Sequence, residues 1–174
     1  LGLEPKQEAG MMRYVGRFVI DIPPLSAALA RLWLSQRRMD MVLNWLRVTQ
    51  LPADSQPVVE RETEYLVRVR YLLATRQLVK ALQLLECLRP SIELGKRQLV
   101  LIEVLLLTAL VLQGQGLQPR ALAELQHAVV LAEETGAVRL FVDEGVALES
   151  LLQKLADNSP LEAYVHQLLL HFVQ

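Results

Sequence analysis

The chain has 174 residues, 52% hydrophobic and 5% aromatic, so it can bury the core of one domain. The formal net charge is −1, which removes any electrostatic reason to expect direct binding to nucleic acid or to an anionic membrane. The single cysteine, Cys87, excludes an internal disulfide. Its place in an apolar helical stretch predicts a buried, reduced thiol and a cytoplasmic protein.

Residues 1–24 form an N-terminal segment of their own, in which residues 6–20 are a helix candidate. The chain does not begin with Met, so we expect it to be a fragment of a longer protein. A helix is predicted from Pro24 or Leu25 to about residue 36, because proline is tolerated in a first helical turn. Its partner is predicted over residues 39–48.

A proline-rich loop at residues 51–57 separates this first pair from a helix predicted over residues 58–75. The next helix begins near Gln77. We expect Pro90 to bend or interrupt it, because proline removes a backbone hydrogen bond. Gly95 is expected to end it in the left-handed conformation.

The most apolar run covers residues 99–112, inside a helix predicted over residues 96–113. A membrane span needs about 18–20 apolar residues, so this shorter run predicts a central helix covered by neighbours and no membrane partner. No strand is predicted. Capping residues mark the remaining boundaries: a start at Pro119, a stop at Gly136, and a last helix with Ser159 as N-cap, Pro160 and Glu162 in its first turn, and its end near Phe172.

One helix–turn–helix phrase recurs three times, with aligned turn positions at Arg37, Arg76 and Gly116. The spacings are 76 − 37 = 39 and 116 − 76 = 40 residues. A period near 40 predicts an all-α array of stacked antiparallel helix pairs. The third repeat, with Gly116, Ala121 and Leu125, resembles tetratricopeptide repeats, although their usual period is about 34 residues. This resemblance implies a right-handed superhelical, tetratricopeptide-like α-solenoid. Residues 25–136 would hold the three helix-pair repeats, and residues 137–174 a connector and a closing helix pair.

Catalytic and metal-binding patterns do not stand out in this sequence. The histidines are His127, His166 and His171; the last two are five residues apart, which places them on different faces of one helix. There is no phosphate-binding loop and no nucleophile elbow. We therefore expect no enzyme activity and no cofactor.

Arginines and aromatic residues near the first two turns are the candidate binding residues. If the first helix of each repeat lines a concave face, arginines there could bind an anionic or carbonyl-rich ligand, and aromatic rings could stack on it. The alternatives are surface ion pairs with Glu60, Glu62 and Glu64 and ordinary helix packing. The candidates for binding a ligand or partner are Trp33, Arg37, Tyr65, Arg68 and Arg76.

A stretch after the third repeat resembles a known family. It has the pattern Gly-x-x-Arg-x-Phe-x-Asp-Glu-Gly, carried by Gly136, Arg139, Phe141, Asp143, Glu144 and Gly145. In this respect the chain resembles MalT-like regulators, the large ATP-dependent transcription regulators of the LuxR type. The resemblance covers roughly residues 25–174, although Arg37 and Arg76 replace the small turn residue usual in tetratricopeptide repeats.

The resemblance implies a sensor domain placed between an amino-terminal ATPase and a carboxy-terminal helix-turn-helix domain, neither of which lies in this chain. An unknown inducer or protein partner would bind the repeats, and DNA would be reached only through the missing domain. The connector residues Arg139, Phe141, Asp143, Glu144 and Gly145 would transmit the signal. The alternative functions are a free-standing adaptor scaffold and an all-helical enzyme. Separately, the chain is a candidate for a homo-oligomer.

Overall fold

A computed structural model describes residues 23–51, 61–156 and 161–172 of the chain. These residues form nine helices and no strand, which confirms the all-α helical-repeat prediction. The helices are α1 (Pro23–Ser35), α2 (Met39–Thr49), α3 (Glu62–Ala74), α4 (Leu78–Leu94), α5 (Gln98–Gly114), α6 (Gln118–Thr135), α7 (Val138–Val142), α8 (Val146–Ala156) and α9 (Glu162–Leu170).

The chain divides into two compact units, residues 1–71 and residues 72–174. The sequence analysis divides the chain after residues 24 and 136, into an N-terminal segment, the repeats and the connector region. These boundaries differ from that of the two compact units, and they stay a prediction. The predicted helix over residues 6–20, most of the predicted loop at residues 51–57, and the predicted N-cap at Ser159 lie outside the described residues.

The first unit has a small core between α1, α2 and α3. Ala27 and Ala30 of α1 pack with Val42 and Trp45 of α2 and with Val67 of α3. The spacing of three residues within α1 and within α2 places each pair of side chains on one helical face. This core holds the first helix pair together.

The second unit is built around α5, which is buried at Ile102 and at every position from Val104 to Leu112. This burial confirms the prediction of a central helix covered by its neighbours. Helices α4, α6 and α8 each bury one face. In α6 the buried residues recur every three or four positions, at Ala121, Leu125, Ala128 and Ala132. Within the described residues, no helix is both long and apolar enough to cross a membrane.

The turn positions predicted from the repeat share one backbone geometry. Arg37, Arg76 and Gly116 have φ angles of 58°, 60° and 80°, all in the left-handed region. At Gly116 the turn is closed by two hydrogen bonds, from Leu117 N to Leu112 O at 2.9 Å and from Gly116 N to Gln113 O at 3.0 Å. These are the two bonds of a Schellman motif, and equivalent pairs close the turns at Arg37 and Arg76.

The prediction for Gly95 is wrong by one residue. Gly95 has a right-handed conformation with φ −76°, and the left-handed residue is Lys96 with φ 51°. The reason is the register of the turn, because Arg97 N bonds to Ile92 O and Lys96 N to Glu93 O. Lys96 therefore takes the position that Gly116 holds one helix later.

Two predictions about α4 are also corrected. Pro90, which is exposed, does not interrupt the helix, which runs from Leu78 to Leu94. The alternative expectation, a bend at Pro90, stays a prediction. The buried face of Leu85, Leu88 and Ile92 spans the proline and keeps the helix intact. Cys87 is exposed and not buried, because it lies two residues, about 200° of helical rotation, from Leu85.

Candidate functional site

The candidate connector begins with α7, a helix of five residues between two left-handed glycines. Gly136 has φ 70° and Gly145 has φ 71°. Phe141 is the buried residue of this helix, and its ring packs in the core that α5, α6, α8 and α9 share. Val138 and Leu140 pack against the same core and are partly buried, so Phe141 is the deepest of several apolar contacts that hold the connector to the second unit.

The charged residues of the connector lie at its surface. Arg139 Nε and Asp143 Oδ1 are 2.7 Å apart, one helical turn from each other, and the Arg139 side chain is 85% exposed. An exposed ion pair of this kind stabilises a fold by about 0–1 kcal/mol. Asp143 and Gly145 also bond through their backbone nitrogens to Arg139 O and Val142 O. These charges are thus accessible rather than locked into the core.

An open cleft of about 620 Å³ lies against the connector, and we call it the connector cleft. Its walls come from α7, from the first turns of α8 and from the end of α9. The apolar lining residues are Val138, Val142, Val146 and Phe172, and the polar ones are Arg139, Glu149 and His171, with Gly145 between α7 and α8.

The five candidate binding residues near the turns have different environments. Arg37 and Arg76 are exposed at their turns, and Trp33 is partly buried against the core of the first unit. Tyr65 is completely buried. Arg68 donates a hydrogen bond from Nη1 to the Leu51 carbonyl at 3.2 Å. The structure gives Arg68 and Trp33 contacts within the fold, and the ligand-binding role of all five stays a prediction.

The end of α2 is held by Arg61, which directly precedes α3, and by Arg68 of α3. Arg61 donates from Nη2 to the Thr49 carbonyl at 2.8 Å, and it pairs with Glu64, which is buried. Arg68, seven residues or about two helical turns after Arg61, donates to the Leu51 carbonyl. Cationic side chains at the carboxyl end of a helix satisfy its last carbonyl groups. These contacts are a structural use of arginine near a predicted binding surface.

A second polar contact, missed by the sequence analysis, joins α4 to α6. Arg89 Nη1 lies 3.0 Å from both carboxylate oxygens of Glu124, and Arg89 Nε lies 2.7 Å from Glu93. Burial acts to lower the pKa of Arg89, but the hydrogen bonds and charges of the two glutamates outweigh it and raise the pKa above its ordinary value. Because Arg89 and Glu124 are 35 residues apart, their pairing leaves no local sequence signal.

The sequence analysis also missed several residues that line the connector cleft. Val142, Val146, Glu149 and Phe172 were not selected, and His171 was considered only as a metal ligand. One signal was available, since Val138 and Val142 are four residues apart and therefore share a face of α7. The sequence spacing of residues does not predict that the end of α9 lies close to α7, because this contact depends on how the helices pack.

The histidines are exposed, and His166 Nδ1 lies 2.9 Å from the Glu162 carbonyl in its own helix. Among the described residues, no group of three or more histidine, cysteine, aspartate or glutamate side chains is arranged to hold a metal ion. The accessible polar groups of the connector cleft can form hydrogen bonds and ion pairs with a bound molecule.

Comparison with known protein families identifies a helical-repeat region. Residues 6–158 match the family described as the MalT-like TPR region. The chain belongs to this family. The match to the MalT-like TPR region includes α1 to α8, and with them the connector and most of the connector cleft, while α9 lies beyond it. A search of the curated proteins and of the solved structures found no match to the chain.

Proposed function

We propose that this chain is the sensor and interaction domain of a bacterial transcription regulator of the LuxR type. The domain binds an inducer or a protein partner and thereby controls an ATPase domain and a DNA-binding domain of the full-length protein. The observation that carries the proposal is the match to the MalT-like TPR region over residues 6–158. Its membership of that family makes binding, rather than chemistry, the expected activity.

The proposal places the protein in the cytoplasm and gives it no catalytic role and no cofactor. Helical-repeat domains act through extended surfaces, and exposed turn residues such as Arg37 and Arg76 are suited to polar contacts with a bound molecule. Contact with DNA comes through the regulator's separate DNA-binding domain, in keeping with the net charge of −1.

The connector is the proposed output of this domain. Phe141 ties α7 to the same core that contains α5 and α6, so a shift in the repeats changes the packing around its ring. The left-handed glycines at 136 and 145 allow α7 to turn sharply on both sides. Movement of α7 alters the connector cleft, whose walls include α8 and the end of α9.

The gene that encodes the chain provides the test of the proposed domain organisation. Sequencing outward in both directions is expected to show an upstream phosphate-binding loop and a downstream helix-turn-helix within the same reading frame. Stop codons close to both ends of this segment would contradict the proposal and support a free-standing adaptor scaffold.

The bound molecule can be identified with the same chain as bait. Capture from cell extract, followed by mass spectrometry, is expected to enrich one small molecule or protein on the wild type. If the turn arginines bind it, Arg37→Gln and Arg76→Gln lower its recovery, while the exposed control Arg120→Gln does not. Equal recovery with all three variants would remove the turn arginines from the binding surface.

A further inference from the structure

The connector cleft has a mixed lining that suits a small amphipathic molecule. Its volume of about 620 Å³ falls within the range of about 300–1,000 Å³ that is usual for small-ligand sites. Its apolar residues, Val138, Val142, Val146 and Phe172, can pack against a hydrocarbon group. Its polar residues lie beside them in the same cleft. The lining therefore fits a ligand with one apolar part and one polar end.

The ionic groups of the cleft leave one negative charge unpaired. The charge of Arg139 is offset within the connector, because its Nε lies 2.7 Å from Asp143 Oδ1. The carboxylate of Glu149, in the first turn of α8, has no hydrogen-bonding or ionic partner among the described residues. Glu149 is partly buried, so water and salt screen its charge less than that of a fully exposed carboxylate. The cleft therefore attracts a cation.

Other classes of small ligand leave part of the cleft unsatisfied. An anion is repelled by Glu149, and an uncharged apolar molecule covers the carboxylate without pairing it, which costs free energy. A metal ion needs several ligating side chains, and the described part of the chain has no group of three or more acidic, histidine or cysteine residues that could hold one. An organic cation pairs with Glu149, packs its hydrocarbon part on the apolar residues, and is attracted to the ring of Phe172.

We infer that the connector cleft binds a small organic cation, an amine whose ammonium group pairs with Glu149 and whose hydrocarbon part packs on Val142, Val146 and Phe172. The inference deepens the proposed function and rests on it for its regulatory meaning, since it gives the sensor a ligand class and a site. A ligand in this cleft contacts α7, α8 and the end of α9 together. Binding and output therefore meet at one place.

The test is an NMR titration of the 174-residue chain with 2-phenylethylammonium, a probe that joins an ammonium group to an aromatic ring. The backbone amide signals of Val142, Gly145 and Glu149 are expected to shift, with a Kd of about 0.1–1 mM, because the cleft is open and the probe is small. Phenylacetate, an anion, and uncharged 2-phenylethanol carry a similar hydrocarbon part. Both should bind at least about tenfold more weakly, since neither pairs with Glu149.

A pair of variants isolates the role of Glu149. Glu149→Gln removes the charge and keeps the size of the side chain, so it should weaken 2-phenylethylammonium at least about tenfold. The affinity of this variant for the ammonium probe should then equal its affinity for 2-phenylethanol within about twofold. Glu86→Gln is the matched control, because Glu86 is an exposed acid on α4 outside the cleft, and it should bind both probes as the wild type does. Circular dichroism establishes that both variants are folded.

Unshifted amide signals along the cleft at about 20 mM 2-phenylethylammonium would overturn the inference, since that is far above the expected Kd. So would phenylacetate that binds as tightly as the ammonium probe, or equal affinities of Glu149→Gln and Glu86→Gln. The proposed function survives any of these results, because the organisation of the gene tests it separately. Stop codons close to both ends of the segment would end the proposed function and leave the binding of amines by the cleft intact.

Discussion

Four turns of this protein place different residue types in the same left-handed conformation. Gly116 adopts it without steric cost, whereas Arg37, Arg76 and Lys96 carry a Cβ in a region that L-residues avoid. Two hydrogen bonds to the end of the preceding helix close each of these turns. At these positions the helix-ending motif outweighs the backbone preference of the residue.

The first prediction concerns Gly116. Its added Cβ would meet nothing within 4 Å, so a substitution there tests backbone strain without steric overlap. Gly116→Ala should lower the free energy of unfolding by about 1–2 kcal/mol, measured by urea denaturation. Gly116→Asn should lower it less, because asparagine tolerates the left-handed region. Equal effects of alanine and asparagine would contradict this explanation.

Tyr164 gives a prediction about pH. Burial raises the pKa of its phenol above the ordinary value of 10.0, and the negative charge of Glu133 adds to the rise. The folded state therefore holds the proton more tightly than the unfolded state does. The resulting stabilisation is complete below about pH 10 and is lost as the pH rises through the raised pKa.

Tyr164→Phe removes this titration. The free energy of unfolding, measured from pH 8 to 11, should fall more steeply for the wild type than for the variant. At pH 7 the variant should lie within about 1 kcal/mol of the wild type, because no partner for the buried Tyr164 hydroxyl is present among the described residues. Parallel pH profiles would show that Tyr164 does not contribute.

At the scale of single helices, α4 shows why packing dominates local sequence signals. Proline in a helix interior costs about 3 kcal/mol relative to alanine, yet α4 continues through Pro90 to Leu94. Its buried leucines and Ile92 lie on both sides of the proline, and Arg89 links the same region to Glu124 of α6. Tertiary contacts thus hold a helix that its sequence would divide.

Pro90→Ala is expected to stabilise the protein. Alanine restores a backbone N–H that can bond to the Glu86 carbonyl, and position 90 is exposed, so no packing is lost. The free energy of unfolding in urea should rise by about 1–3 kcal/mol. A decrease would mean that the proline fixes a distortion which α4 needs for its contact with α6.

The helical architecture was readable from the sequence because its signal is periodic. The turn positions at 37, 76 and 116 gave the repeat, and the apolar run in α5 gave the central helix. The left-handed turn at Lys96 was missed by one residue, since glycine at 95 is the stronger local signal. The exposure of Cys87 and the Arg89–Glu124 pair depend on how neighbouring helices pack, which no local pattern records.

At the scale of the whole molecule, the sequence identified the connector but not its surroundings. The residues from Gly136 to Gly145 stood out by their pattern, and the match to the MalT-like TPR region covers them. The connector cleft adds Glu149 and Phe172, which only the packing of α8 and α9 brings to α7. The proposed output of the sensor domain is therefore a surface made by three helices.

The proposed coupling role of Phe141 can be measured in cells that produce the proposed full-length regulator. RNA sequencing across growth conditions would compare the wild type, Phe141→Ala, the milder Phe141→Leu and the exposed control Leu94→Ala. Loss of the Phe141 ring from the core costs about 3–5 kcal/mol in the alanine variant, so immunoblotting must establish equal protein levels. Phe141→Leu keeps the fold if alanine does not.

At equal protein level, the account predicts that the Phe141 variants no longer change the transcription of the regulated genes between conditions, whereas Leu94→Ala responds as the wild type does. A wild-type transcriptional response in both Phe141 variants would contradict the claim that the connector carries the signal of the repeats.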